Sequence, residues 1–328
     1  MSARTGLARA TQRGFTLVEL MVSLVMFSFV AIGLLAVAVS IANTYREQRD
    51  SSAAESLVRV PADFIADVLR QASPGVSSFA IADAATCSTS ALSVTNSTTG
   101  PDSLDVIYAS GGVATATTSV LLASTTTVTV ADATGLAAGD SVVITNLAQG
   151  HFYKLQAVAG NTLTLQLGCV SYAPPAGGYA AGSMVVRAQH AVFSIALLDG
   201  QNALWFDPDA GDALAAEPFS EGMEDMQIAV GIDTSANGLT ETGVTGNDDE
   251  WSYNVAGDTA IATWPPVAGS IRAVRFTLVA RAANPDTANA LLYLRPAAED
   301  RAAAGANDNY RRRTLRSTIE FRNVGVSP

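Results

Sequence analysis

Between Phe15 and Ala42 the chain carries 28 residues, of which only Glu19 can ionise. A carboxylate inside an apolar segment is costly to hold away from water, so its chemistry is that of a charge requiring a cation. The low dielectric that penalises it alone strengthens the pair once a positive group lies alongside. Arg4, Arg9 and Arg13 precede the run with no acid among them, a basic flank of the kind kept on the cytoplasmic side of a membrane.

Other residues invite chemistry and mostly lack partners for it. Ser141, in the run GDSVV, has the flanks of a nucleophile, but a serine needs a base. Neither His151 nor His190 belongs to an Asp-x-x-His pair, so a turn is the better reading and no catalytic set is expected. The two histidines also lack metal-ligand spacing. Asp233, Ser235 and Asn237 alternate before Gly238 as at the start of a calcium loop, with Asp248 and Asp249 further on. Val244 stands where the bidentate acid belongs, so calcium requires that loop to fold back, and no other cofactor is expected. Cys87 and Cys169 are too few for a disulfide scaffold or a four-cysteine zinc site, and suit one bridge in an oxidising compartment. Arg311, Arg312 and Arg313, beside Tyr310, read either as a solvated strand entrance or as a docking point for an acidic partner.

Composition narrows the classes. The 328 residues are 48% hydrophobic, enough for a sizeable core, and carry 19 basic against 30 acidic side chains for a net charge of -11. That balance speaks against an affinity built on phosphate neutralisation, so no nucleic-acid partner is expected. Lys154 is the only lysine and stands in no glycine-rich phosphate loop.

The elements that position Glu19 follow from its neighbours. At about 1.5 Å per residue, Phe15 to Ala42 makes a helix roughly 42 Å long, more than the roughly 30 Å needed to cross a bilayer. A cleaved secretory signal has a shorter apolar part with a small-x-small site after it, so this segment is expected to be retained. Beyond it, Leu57, Pro61, Phe64, Val68 and Leu69 recur at helical spacing with Arg59, Asp63, Asp67 and Arg70 between them, predicting an amphipathic continuation kinked at Pro61 and stopped by ASPG at 72–75. From residue 76 the pattern changes to short β-like runs, among them SLDVIYA, DSVVITN, SMVVRAQHAVFSIALL, IRAVRFTLVAR and RTLRSTIEFRN. In the last, Leu315, Ser317, Ile319 and Phe321 share one face and Arg316, Thr318, Glu320 and Arg322 the other. Residues 113–186 read as a small β unit of their own within the head.

The run GFTLVELMVS resembles the cleavage and methylation motif of type IV prepilins: a basic leader ending in Gly14, then Phe15, then an acid at the fifth residue of the mature chain. The resemblance implies cleavage by a prepilin peptidase between Gly14 and Phe15 and methylation of the new Phe15 amine. That amine is the missing cation, since Glu19 of one subunit can lie against it in a neighbour. Many major pilins break this helix with a proline, whereas here only Gly33 interrupts it.

The segments LLDGQNALWFD, FSEGMEDMQIAVGID and IRAVRFTLVARAANPD, with the ending YRRRTLRSTIEFRN, are similar to large minor pilins of the PilW kind, relatives of the J-type pseudopilin of type II secretion. The resemblance implies an inner-membrane subunit with a periplasmic head, built into a pilus near its tip, with other minor pilins, the major pilin and the inner-membrane assembly platform as partners. The expected fold is α+β and pilin-like: a leader over 1–14, a long helix over 15–75 and a mainly antiparallel β head over 76–328. A J-like pseudopilin and a tip adhesin are the alternative readings.

Overall fold

The computed structural model describes residues 16–321 apart from 85, 124, 169–173, 176, 211–213, 237–239, 241–249, 259, 267–269 and 287–291. Among the described residues a single helix, α1, runs over Leu17–Arg70. It crosses the boundary between two compact units, which meet at Ser51 and Ser52.

In the first unit, the 30-residue stretch Leu17–Arg46 has a mean hydropathy of 2.7 and turns apolar side chains outward all round. A helix apolar on every side needs an apolar surrounding, and its length suits a bilayer. In the second unit, α1 is one-sided. Val58, Ala62, Ile65, Ala66 and Leu69 are buried at spacings of three and four while Asp63, Asp67 and Arg70 face solvent. Pro61 is buried inside the helix and does not end it. A proline donates no hydrogen bond to the carbonyl four residues back, here Leu57. The Ser220 hydroxyl donates to that carbonyl instead, at 3.4 Å.

The head contains a ten-stranded sheet of β1 (Ile81–Asp83), β2 (Leu92–Thr95), β3 (Ser103–Ala116), β4 (Thr127–Thr129), β5 (Ser141–Thr145), β6 (Gly150–Ala159), β7 (Thr162–Gln166), β8 (Met184–Leu198), β9 (Gln201–Asp207) and β10 (Glu217–Glu221). A four-stranded sheet follows in the order β12 (Trp251–Ser252), β11 (Met223–Asp233), β13 (Ser270–Arg281), β16 (Arg312–Glu320). The hairpin of β14 (Tyr293–Arg295) and β15 (Ala304–Asp308) stands apart from both. Pairing is antiparallel throughout except between β1 and β6. The fold is therefore α+β, an amino-terminal helix with an apolar span joined to an antiparallel head.

The main core joins the buried face of α1 to the inward residues of both sheets, among them Leu104, Phe193, Ile228, Phe276 and Ile319. Phe64 of α1 is its pivot: the ring meets Phe193 and Phe206 edge-on and stacks on Phe219. A second core gathers Leu121, Val128, Val142, Ile144, Tyr153, Leu163 and Tyr179. The two cores share strands, because alternate residues of β5 and β6 point to opposite faces: Val143 and Phe152 enter the first core, Val142, Ile144 and Tyr153 the second. Residues 113–186 thus supply most of the second core, with Ala84 from outside the range, and belong to the common sheet. Strand β16 alternates as its sequence requires, with Leu315, Ser317 and Ile319 covered and Arg316, Thr318 and Glu320 exposed.

Candidate docking site

Glu19 lies in the first turn of α1. Its carboxylate accepts hydrogen bonds from the backbone N–H and the hydroxyl of Thr16, both at 3.0 Å, while its own N–H donates to the Thr16 hydroxyl at 3.3 Å. These contacts form a capping box, in which the residue before the helix and the third residue within it satisfy each other's unpaired N–H groups. The acid also sits where the helix dipole favours negative charge. Sequence reading placed Glu19 against a cation and overlooked this local role, although the signature Thr-x-x-Glu was there to be read. Gly14 and Phe15 lie outside the described residues.

Several of the head's buried charges form built-in pairs. His190 of β8 is 2% exposed; its Nδ1 faces Asp83 and its Nε2 faces Asp105, each at 2.5 Å. Burial by itself would lower the histidine pKa, but the hydrogen bonds to Asp105 and Asp83 prevail and raise it to about 9. Asp83 also accepts from the Thr86 hydroxyl at 2.9 Å, so the turn after β1 is tied to β8 through one carboxylate. His190 and Ser141 line one pocket of about 350 Å³. Both imidazole nitrogens are engaged by carboxylates, so the ring has no free nitrogen to take a proton from that serine. His151 meets the Tyr179 hydroxyl at 2.6 Å within the second core.

Two of the three clustered arginines are committed inside the head. Arg312 pairs with Glu224 at 2.6 Å and Asp308 at 2.8 Å and is held firmly charged by them, while Arg311 pairs with Asp286 at 2.8 Å. The docking reading of that cluster fails for these two residues. They belong to a polar layer that includes Arg295 and Arg301 on Asp225, and Arg275 on Glu299.

Asp233 gives its carboxylate to Arg272 at 3.0 Å, and the Ser235 N–H donates to Glu250. Among the described residues no group of three or more His, Cys, Asp or Glu side chains is placed to hold a metal. Asn237, Asp248 and Asp249 lie outside the described residues. Cys87 is disulfide-bonded; Cys169 lies outside the described residues.

Comparison with known proteins agrees at both ends of the chain. Residues 9–35 match the prokaryotic N-terminal methylation motif, and residues 186–323 match the type IV pilus-assembly protein W family. The chain is similar to type IV pilus proteins at both ends. The second match begins in β8 and ends just beyond β16, so it takes in the whole four-stranded sheet of the head. A solved type IV-like pilin from Thermus thermophilus aligns at 10% identity and a TM-score of 0.39, over 82% of this chain and 97% of that one. Among curated proteins none matches in sequence.

Proposed function

We propose that this pilin-like chain is a minor pilin that primes assembly of a type IV pilus and sits at or near its tip, acting without catalysis. The observation that carries the reading is Glu19, the lone acid of an apolar helix, five residues after Gly14. A prepilin peptidase cuts between Gly14 and Phe15, the Phe15 amine is methylated, and Glu19 of one subunit pairs with that amine in its neighbour. The capping box supplies a second step: Thr16 holds the carboxylate until the neighbour's amine replaces it.

The chain is held in the bacterial inner membrane by α1, with its head in the periplasm, and docks with other minor pilins, the major pilin and the assembly platform. Cys87 and Cys169 pair in that oxidising compartment.

A clean deletion strain tests this, comparing pili recovered by shearing with the protein content of the medium. The expected result is loss of surface pili with normal secretion, restored by the wild-type gene and not by Glu19→Ala. Normal pili with exoproteins trapped in the periplasm would instead assign the chain to a secretion pseudopilus.

A further inference from the structure

Strand β16 is an edge of the four-stranded sheet and, among the described residues, pairs only with β13. The Phe321 N–H donates to the Arg272 carbonyl at 2.8 Å, and the Ala282 N–H to the Arg311 carbonyl at 2.8 Å, both within the β13–β16 register. In an antiparallel ladder, residues alternate between bonding the partner strand and pointing away. Odd-numbered residues of β16 therefore bond β13, and the backbone N–H and C=O groups of Thr314, Arg316, Thr318 and Glu320 point to the open side. None of these backbone groups has a hydrogen-bond partner among the described residues. An open edge of this length is a template for another strand.

What that strand should carry can be read from β16 itself. We propose that the occupant is β16 of a second copy of this chain, paired antiparallel about a twofold axis through Thr318. In that register the outer-face side chains of the two copies meet: Arg316, whose Nε pairs with Glu299 of its own chain at 3.1 Å while the side chain stays 57% exposed, stands opposite Glu320 of the other copy, Thr318 opposite Thr318, and Glu320 opposite Arg316. On the other face Leu315 meets Phe321, and Ser317 meets Ile319. Opposite-charge, threonine–threonine and aromatic–aliphatic pairs are the kinds that stabilise antiparallel strands. Shifting the axis to Arg316 would set two arginines face to face, which selects the Thr318 register.

Space exists for the second strand. Beside Thr318, Ile319 and Phe321 lies a groove of about 740 Å³ whose far wall includes Ala72, Val76 and Phe79. The Phe79 and Phe321 rings already touch there, with centroids 4.8 Å apart, and the partner's Leu315 enters on their side. The proposal is independent of the pilus function put forward above.

The test uses the full chain purified in detergent, with oligomeric state read by light scattering and with single cysteines for cross-linking. No free cysteine competes among the described residues. Thr318→Cys should cross-link to a dimer through a short bismaleimide. Thr314→Cys should not, since its copies would lie about 27 Å apart along the strands. Glu320→Arg should weaken dimerisation about tenfold by opposing two arginines, and Glu320→Arg with Arg316→Gln, which removes the facing charge and keeps a donor for Glu299, should restore most of it. A wild-type chain that stays monomeric, a double exchange that does not rescue a folded protein, or cross-linking of Thr318→Cys in native membranes chiefly to a protein of different mass would each overturn the proposal.

Discussion

The Ser220 hydroxyl donates to the Leu57 carbonyl, 3.4 Å away, the acceptor left without a helical donor by Pro61. A proline deep in a helix ordinarily costs about 3 kcal/mol, partly through that lost bond. The neighbouring β10 supplies a replacement, so the same contact lets the helix continue and fixes it to the head. Ser220→Ala is expected to lower stability by about 1 kcal/mol. In a Pro61→Ala background, where the new alanine N–H can serve Leu57, the same substitution should cost much less. Denaturant unfolding of the four proteins, read as a double-mutant cycle, gives the coupling directly, and a coupling of zero would sever the two residues.

For Glu19 the two roles separate by substitution. Thr16→Ala removes the cap and leaves the charge, while Glu19→Gln keeps a hydrogen-bond acceptor and removes the charge. Losing a cap costs about 1 kcal/mol in an otherwise well-formed helix, too little to melt a long apolar one. Thr16→Ala should therefore still yield pili by shearing, and Glu19→Gln should fail as Glu19→Ala does. Abundant pili from Glu19→Gln would reduce the acid to a local cap.

Much of this architecture is legible in the residues, and what is not legible has a common cause. The buried stripe of α1 and the two faces of β16 follow from spacing alone, because each is a repeat within one element. The strand β11 is harder: Asp225 and Gln227 make its first half read as polar, yet both are fully buried. They are tolerated because Arg295 and Arg301, some seventy residues away, neutralise Asp225. The clamp on His190 likewise joins residues 107 and 85 positions distant. Pairings of this kind are set by the register of several strands, which no local pattern encodes. Glu19 shows the reverse, since its capping partner Thr16 stands three residues away and the pairing is encoded locally by Thr-x-x-Glu.

The His190 clamp predicts a pH dependence. A histidine whose folded pKa is raised from 6.5 to about 9 stabilises the fold fully below its unfolded value and loses that contribution as pH rises through about 9. The shift corresponds to about 3 kcal/mol at most. Asp102, pushed up to about 7 by its own burial, acts in a lower window, favouring the fold below about pH 4 and losing that effect by about pH 8. Thermal unfolding between pH 8 and 9, above the Asp102 window and below the range in which the tyrosines ionise, isolates the histidine. The wild type should lose stability across that range, and His190→Gln should start lower and show a flatter curve; parallel curves would count against the clamp.

Arg312 is the arginine of the carboxy-terminal cluster whose loss should be felt most. Its guanidinium is 6% exposed and serves two carboxylates at once, Glu224 through Nε and Nη2, and Asp308 through Nη1 and Nη2. Only a planar fork with several donors can do this, so Arg312→Lys is not conservative here. Removing the side chain leaves Glu224 and Asp308 facing each other without a cation. Both are partly reached by solvent, at 20% and 29% exposure, which moderates the penalty to about 2 kcal/mol for Arg312→Ala, below that of a fully buried pair.

Phe64 decides whether the second half of α1 stays on the head. Its ring lies 5.8 Å from Phe193, 5.2 Å from Phe206 and 4.9 Å from Phe219, so three strands, β8, β9 and β10, converge on one helical residue. Phe64→Ala removes all three ring contacts and opens a space that the paired sheet cannot close, at a cost of about 3–5 kcal/mol. Phe64→Leu refills most of the volume and should recover about half. The distinguishing readout is amide exchange along Ser52–Arg70: if the aromatic cluster anchors the helix, protection there should fall in Phe64→Ala before that of β8 does. A uniform loss across helix and sheet would mean that the helix and the head unfold only together, and that Phe64 stabilises the whole head without a separate anchoring role.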